Sequence, residues 1–202
     1  MLVLAYLAGV IVTVPAGYFN FIGESMMSKV FGAISLGSSK IFIEKAIFAF
    51  LIVGAGEEFM KFLALRFGFF KHKNFNEPYD GIVYGASIAL GFASLENLMY
   101  VLEGGVETAV ARMFTAVPMH ACAGVLMGYY AEIAKFSKKP FIHLLKAWLF
   151  AAFLHGLYDW FLFINELPFL ALGAVLSLLV SIKLARNAIK FHQEVSPFKK
   201  QA

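Results

Sequence analysis

Long apolar stretches separated by short polar segments are the main pattern in this sequence. Six of these stretches predict transmembrane helices, because each has roughly the 20 residues that a helix needs to cross a bilayer. The predicted spans cover residues 2–21, 41–67, 81–102, 108–133, 141–164 and 168–184. Residues 23–40 mix apolar with polar and charged residues, which is typical of an amphipathic interfacial segment. The pattern predicts an all-α, polytopic transmembrane helical bundle that forms a single integral membrane domain over residues 1–202.

Composition supports the membrane assignment. The chain has 202 residues, of which 60% are hydrophobic and 15% charged, whereas soluble domains carry about a quarter charged residues. The formal net charge is +4, but basic residues collect at the ends of the apolar stretches, so we expect membrane lipid and no nucleic acid as a partner. The same asymmetry predicts a multi-pass protein of the cell membrane with both termini cytoplasmic. The first stretch follows Met1 without a basic region or cleavage motif, and we expect it to be a retained span.

Three charged residues interrupt the second predicted span. Glu57, Glu58 and Lys61 lie within two helical turns, and each costs roughly 3 kcal/mol near the middle of a spanning helix. Because Glu57 and Lys61 are four residues apart, they share a helix face, and we expect the lysine to neutralise that carboxylate. Glu58 points about a quarter-turn away. The spacing thus predicts one carboxylate held by a partner and one that is free.

Three further spans also carry ionisable residues. Glu96 lies in the third span, His120 in the fourth, and His155 with Asp159 in the fifth. Counted along the helices from the predicted inner side, Glu57, Glu96, His120 and His155 fall within a layer about two turns deep, and Asp159 lies one turn further out than His155. The four-residue spacing of His155 and Asp159 suits a carboxylate that orients an imidazole. The sequence therefore predicts one polar site shared by four helices.

A charge count limits the chemistry of this site. Its four carboxylates and one ammonium would carry a net charge of −3 with neutral histidines, which a low-dielectric interior does not tolerate. Either the carboxylates share protons, or a divalent cation lies among them. Cys122 is the only cysteine, which excludes a CxxC metal or redox pair.

The charged residues fall into three ordered motifs that resemble those of a known family. Glu57-Glu58-x-x-Lys61, Phe92-x-x-x-Glu96 and His155-x-x-x-Asp159 are similar to the EExxK, FxxxE and HxxxD motifs of the PrsW family of intramembrane proteases. The resemblance covers roughly residues 40–165 and implies a catalytic core at about residues 41–165. It implies cleavage of membrane-anchored protein substrates, including anti-sigma factors. The CAAX prenyl endopeptidases are distant relatives, but they carry a histidine at the position of Glu96 and EExxxR in place of EExxK.

The expected reaction is the attack of water on a peptide bond. Glu57 is predicted to deprotonate the water, and Glu58 to share that proton or bind a metal ion. His155, held by Asp159, would polarise the carbonyl or bind the metal. Glu96 and His120 would complete the site, with Lys61 as electrostatic support. If zinc is present, the candidate ligands are Glu58, Glu96, His120 and His155; the alternative is a metal-free glutamate mechanism.

Transport is the alternative function. Carboxylates and histidines in mid-membrane also describe a pathway for protons or cations. Transporters usually contain two related halves with broken helices, and no internal repeat is evident in the sequence. The sequence leaves the natural substrate and the oligomeric state open.

Overall fold

The computed structural model describes residues 1–31, 39–77, 79–164 and 168–195. Seven α-helices form the bundle in this part of the chain: α1 (Leu2–Phe31), α2 (Ser39–Ile47), α3 (Ala55–Leu63), α4 (Asp80–Phe114), α5 (Ala116–Phe136), α6 (Pro140–Phe163) and α7 (Ala171–Val195). Two π-helical segments, Phe48–Gly54 and Ala64–Phe69, flank α3, and a 3₁₀ turn at Pro168–Leu170 precedes α7. The described ranges contain no strand. The predicted all-α class is confirmed.

Within the described ranges, four helices are long and apolar enough to cross a membrane. They are Leu2–Val30, Asp80–Phe114, Pro140–Phe163 and Ala171–Glu194. The second predicted span, residues 41–67, is helical but changes between α and π geometry. The fourth predicted span begins at Ala116 instead of residue 108, because residues 106–114 belong to α4 beyond a break at Gly105 (φ 77°, ψ 178°). Only glycine adopts this backbone conformation without strain.

The predicted interfacial segment differs from the structure where the two can be compared. Residues 23–31 continue α1 without a break, and residues 32–38 lie outside the described chain. Packing against the second span explains this extension of α1. A Cβ at Gly23 would lie 2.2 Å from the Ile52 side chain, and one at Gly56 would lie 2.5 Å from the Phe19 ring. These contacts hold the C-terminal half of α1 against the helical segment that carries Glu57.

Small residues bring α4 close to two neighbours. On the α5 side, a Cβ at Gly85 would lie 2.3 Å from the carbonyl oxygen of Gly124. On the α1 side, a Cβ at Gly91 would lie 1.9 Å from the carbonyl oxygen of Tyr6. Backbone contacts of this kind are typical of helices packed in membranes. Any larger residue at these positions would force the helices apart.

The charged helix α3 is the centre of this arrangement. It contacts α1, α4, α5 and α6. The contact with α6 is reinforced by the Trp148 indole N–H, which donates to the carbonyl oxygen of Ala55 at 2.9 Å. Four neighbouring helices can therefore present side chains to the residues of α3.

Candidate active site

The EExxK motif lies on α3 and is buried. Glu57, Glu58 and Lys61 are 3%, 0% and 1% exposed. The π-helical segments lie directly before and after this nine-residue helix, and π-helical turns occur frequently at functional sites. Charges this deeply buried need partners, because an unpaired ion in a low-dielectric interior is strongly disfavoured.

Lys61 pairs most closely with Glu58, which reverses the predicted arrangement. Its Nζ donates to Glu58 Oε1 at 2.7 Å, while Glu57 Oε2 is 3.7 Å away. The ammonium also lies 3.9 Å from the centre of the Phe92 ring. Helix spacing alone favours the four-residue pair, but His155 shares the Glu58 oxygen from another helix. Glu58 is thus the carboxylate held by the close charged partners, through Oε1. Both glutamates have a buried Oε2 without a hydrogen-bond partner in the described chain, and the cavity described below separates them.

His155 connects both glutamates to α6. Its Nδ1 lies 2.9 Å from Glu58 Oε1, and its Nε2 lies 3.2 Å from Asp159 Oδ2 and 4.0 Å from Glu57 Oε2. The predicted pairing of His155 with Asp159 is confirmed. Because both ring nitrogens face carboxylates, the imidazole has a fixed orientation between α3 and the end of α6.

His120 joins the cluster from α5. Its Nδ1 lies 2.9 Å from Lys61 Nζ, and its Nε2 lies 2.8 Å from Glu96 Oε2. An ammonium can only donate, so Nδ1 accepts from Lys61 and the Nε2–H donates to Glu96. The ring centres of His120 and His155 are 4.7 Å apart. The structure therefore brings all seven predicted site residues into one connected network.

Two residues that the sequence analysis did not select also belong to this network. Arg112 Nη2 donates to Glu96 Oε2 at 2.7 Å, because the break at Gly105 turns the end of α4 back towards its own helix. Asn20 Nδ2, on α1, donates to Glu57 Oε1 at 2.9 Å. The amide within an apolar stretch was a signal for Asn20, whereas nothing in the spacing pointed to Arg112.

Glu57, His120 and His155 could together hold a metal ion. Each offers one donor atom, and these atoms lie within 4.8 Å of one another. Glu57 Oε2 is buried and has no hydrogen-bond partner in the described part of the chain. Two imidazoles and one carboxylate with an open position are a donor set used by catalytic zinc. The residue types therefore fit a zinc ion, which would replace one hydrogen-bond partner at a ring nitrogen of each histidine.

This set of donors differs from the predicted zinc ligands in its carboxylate. Glu58 Oε1 is held by Lys61 and His155, and Glu96 Oε2 by Arg112 and His120. The donor atoms that lie within 4.8 Å of one another belong to Glu57, His120 and His155, and this group contains neither Glu58 nor Glu96. His120 and His155 are common to the two sets.

A cavity of about 530 Å³ lies against the cluster. Glu57, Glu96, His120, His155 and Asp159 line it, together with apolar side chains from α1, α4, α5 and α6. Glu58 and Lys61 are absent from its wall. The volume is within the range of pockets that bind small ligands. Glu57 is accordingly the α3 carboxylate that faces the cavity.

Comparison with known proteins assigns the chain to a family. The family model described as "PrsW family intramembrane metalloprotease" matches residues 1–185. This protein belongs to the PrsW family. Among its relatives, Protease PrsW of Geobacillus kaustophilus is 41% identical over 162 residues, covering 80% of this chain and 66% of the relative. Protease PrsW of Bacillus subtilis is 35% identical over 164 residues, covering 80% and 69%.

A third PrsW relative matches a shorter region. Protease PrsW of Halalkalibacterium halodurans is 46% identical over 116 residues, covering 55% of this chain and 52% of the relative. The matched region thus spans between half and about two thirds of these relatives' lengths. No solved structure matches the chain. The family match identifies a multi-pass membrane protein, and it includes α1 as well as the three motifs.

Proposed function

We propose that this PrsW-family protein is an intramembrane endopeptidase that hydrolyses a peptide bond in membrane-anchored protein substrates. Anti-sigma-factor-like proteins are the expected substrate class. The observation that carries the proposal is the Glu57–His120–His155 group, buried among helices at the wall of a cavity of about 530 Å³. Such a site offers a base, candidate metal ligands and room for a peptide segment within the membrane part of the protein.

Glu57, His120 and His155 are the residues that would hold zinc. When bound, zinc would acidify a water molecule and polarise the scissile carbonyl. The buried, unpartnered Oε2 of Glu57 supports this assignment. In a metal-free reaction, the same oxygen is the proton acceptor for the attacking water. Glu57 is essential in both forms of the proposal.

Glu58, Lys61 and Asp159 act through the histidines. The Glu58 carboxylate fixes His155 Nδ1, and the Lys61 ammonium balances its charge. Asp159 contacts the other ring nitrogen of His155 and so sets how the imidazole meets the cavity. These three residues keep the site in one geometry. The side chains around the scissile bond then need not reorient when charge develops on it in the transition state.

Glu96 and Arg112 support His120 in a similar way. Glu96 accepts from the His120 Nε2–H, and Arg112 neutralises Glu96. The guanidinium is also stacked over the Tyr100 ring, 3.7 Å from its centre. Through this series of contacts from Arg112 to Glu96 to His120, the segment after Gly105 positions the His120 imidazole.

The membrane arrangement completes the proposal. Both termini are placed in the cytoplasm, which directs the carboxyl ends of α1 and α6 outward. The cavity is lined by residues from these ends, including Glu24 and Phe163, so water reaches the site from the outer side. The catalytic core at residues 41–165 contains all the motif residues.

The test is cleavage of a single-span reporter by the purified protein in liposomes. Glu57→Gln and His155→Ala should abolish cleavage, and both proteins should remain folded. Glu132→Gln is the matched control, because Glu132 is also a buried carboxylate (1% exposed) but lies outside the cavity wall. Cleavage by Glu57→Gln at the wild-type rate would contradict the proposal. An inert wild type that takes up cations into liposomes would favour transport instead.

A further inference from the structure

Helix α1 contributes the polar residues Thr13, Asn20 and Glu24 to the cavity wall, and Asn20 reaches the Glu57 carboxylate. Asn20 Nδ2 donates to Glu57 Oε1 at 2.9 Å. Two α1 hydroxyls also have described hydrogen bonds, those of Thr13 and Ser28, and both donate to backbone carbonyl oxygens. Asn20 is thus distinguished from them by a direct contact with a charged side chain of α3.

This contact is the closest one described for the Glu57 carboxylate. Lys61 Nζ and His155 Nε2 lie 3.7 Å and 4.0 Å from the other oxygen, Oε2, which are distances beyond a hydrogen bond. Without Asn20, the carboxylate would be free to rotate about its terminal torsion, which is intrinsically broad. The amide therefore determines which oxygen is held and which is open.

The packing of α1 on α3 fixes the position of the amide. The Phe19 ring occupies the space beside Gly56, where a Cβ would lie only 2.5 Å from a ring carbon. Gly23, one turn after Phe19, contacts Ile52 in the same way. Asn20 lies between these two contacts, so that its side chain is delivered to Glu57 by a close helix–helix interface.

We propose that Asn20 is a positioning residue for Glu57: it holds Oε1 so that Oε2 remains available to the water or metal ion of the site. The inference rests on the proposed function and extends it to α1, which lies outside the predicted core at residues 41–165. A hydrogen-bond donor to a reacting or ligating carboxylate is a typical outer-shell partner, whose loss costs roughly 10- to 100-fold in activity or metal affinity.

The experiment compares three variants of Asn20. Asn20→Leu has a similar volume without the donor, Asn20→Asp replaces the donor with a second carboxylate, and Asn20→Gln retains the amide on a longer side chain. Thr13→Val is the matched control, because Thr13 is also a buried polar residue of α1 (2% exposed) on the wall of the same cavity, but it donates only to backbone oxygens and does not contact Glu57 in the described hydrogen bonds. The readouts are kcat and KM for the reporter, zinc affinity in detergent and the unfolding temperature.

A positioning role predicts a selective pattern. Asn20→Leu should lower kcat and zinc affinity roughly 10- to 100-fold, with KM and the unfolding temperature close to those of Thr13→Val. Asn20→Asp should lower kcat and zinc affinity further than Asn20→Leu does. Asn20→Gln should retain more of both than Asn20→Leu. Equal kcat and equal zinc affinity in Asn20→Leu and Thr13→Val would overturn the inference, as would a loss explained entirely by a lower unfolding temperature.

Failure of the proposed function would look different. If the wild type neither cleaves the reporter nor responds to Glu57→Gln, the protease proposal fails by itself. Zinc affinity then decides the role of Asn20, because it needs no substrate. A weaker zinc affinity in Asn20→Leu than in Thr13→Val would still support the positioning of Glu57, and an unchanged affinity would overturn it.

Discussion

Glu57 and Glu58 are adjacent in sequence and nearly equally buried, yet their surroundings differ. Glu58 belongs to a closed set of partners, with Lys61 and His155 both within 2.9 Å of Oε1. Glu57 faces the cavity and is held through one oxygen by Asn20. The difference teaches that the position of neighbouring helices, and not the sequence motif, gives the two carboxylates different surroundings. The proposed function assigns the reactive role to Glu57 and the structural role to Glu58 on this basis.

The largest expected effect is at Glu57. Glu57→Gln keeps the shape of the side chain but removes the basic oxygen, so we expect a loss of roughly 100- to 10,000-fold in kcat. The unfolding temperature should change little, because the cations beside Glu57 Oε2, Lys61 at 3.7 Å and His155 at 4.0 Å, are beyond hydrogen-bond distance and keep closer partners. Reporter cleavage and thermal unfolding in detergent, measured on the same preparations, provide the check. A large drop in the unfolding temperature would place Glu57 with the structural group instead.

Glu58 should give the opposite result. Glu58→Gln leaves the Lys61 ammonium buried without its main partner, which typically costs about 3–5 kcal/mol of stability. Lys61→Met should cost a similar amount, because it leaves Glu58 uncompensated. The double variant should regain most of the lost stability. A double variant as unstable as the sum of the two single variants would show that the ion pair is not the cause.

Removal of Arg112 should have an intermediate effect on activity. Arg112→Met removes the charge beside Glu96 and the guanidinium stacked over the Tyr100 ring, so His120 loses part of its support. We expect a loss of roughly tenfold in kcat, at the lower end of outer-shell effects. Reporter kinetics measure it, with Arg112→Lys as the variant that should retain more activity. Equal losses in both variants would argue against a charge effect.

The smallest effect should come from a change outside the site. Glu132 is buried on α5, and both its carboxylate oxygens lack a hydrogen-bond partner in the described chain. Glu132→Gln removes the charge with little change in shape, so cleavage should stay within about twofold of the wild type, as for changes away from functional contacts. Kinetics of the same reporter provide the comparison. A loss comparable to that of Glu57→Gln would mean that activity depends on buried carboxylates in general.

The comparison of Glu57 with Glu58 also marks the limit of what the sequence predicted. Apolar patterning was sufficient for the helical membrane fold, and the four-residue spacing was sufficient for the His155–Asp159 pair. The partner of Lys61 was predicted from helix spacing alone, and the choice was reversed because His155 approaches from α6. The spacing of residues within one helix does not predict which side chains a second helix brings to them.

The two missed partners have different explanations. Asn20 is a lone amide in an apolar stretch, and only the packing of α1 against Gly56 brings it to Glu57. Arg112 fell at the start of the fourth predicted span, residues 108–133, but the positive φ of Gly105 reverses the chain and returns Arg112 to Glu96. The Asn20–Glu57 and Arg112–Glu96 contacts depend on tertiary packing, which the spacing of apolar and polar residues in the sequence does not predict.

Zinc dependence of reporter cleavage tests the central claim most directly, since Glu57, His120 and His155 form the site in this account. The purified protein is stripped with a chelator, its metal content is measured, and zinc is then added back. The account predicts that the metal-free protein is inactive, that about one zinc ion per chain restores cleavage, and that Glu57→Gln with bound zinc stays inactive. Full activity of verified metal-free protein would contradict the metal site, and full activity of Glu57→Gln would contradict the account as a whole.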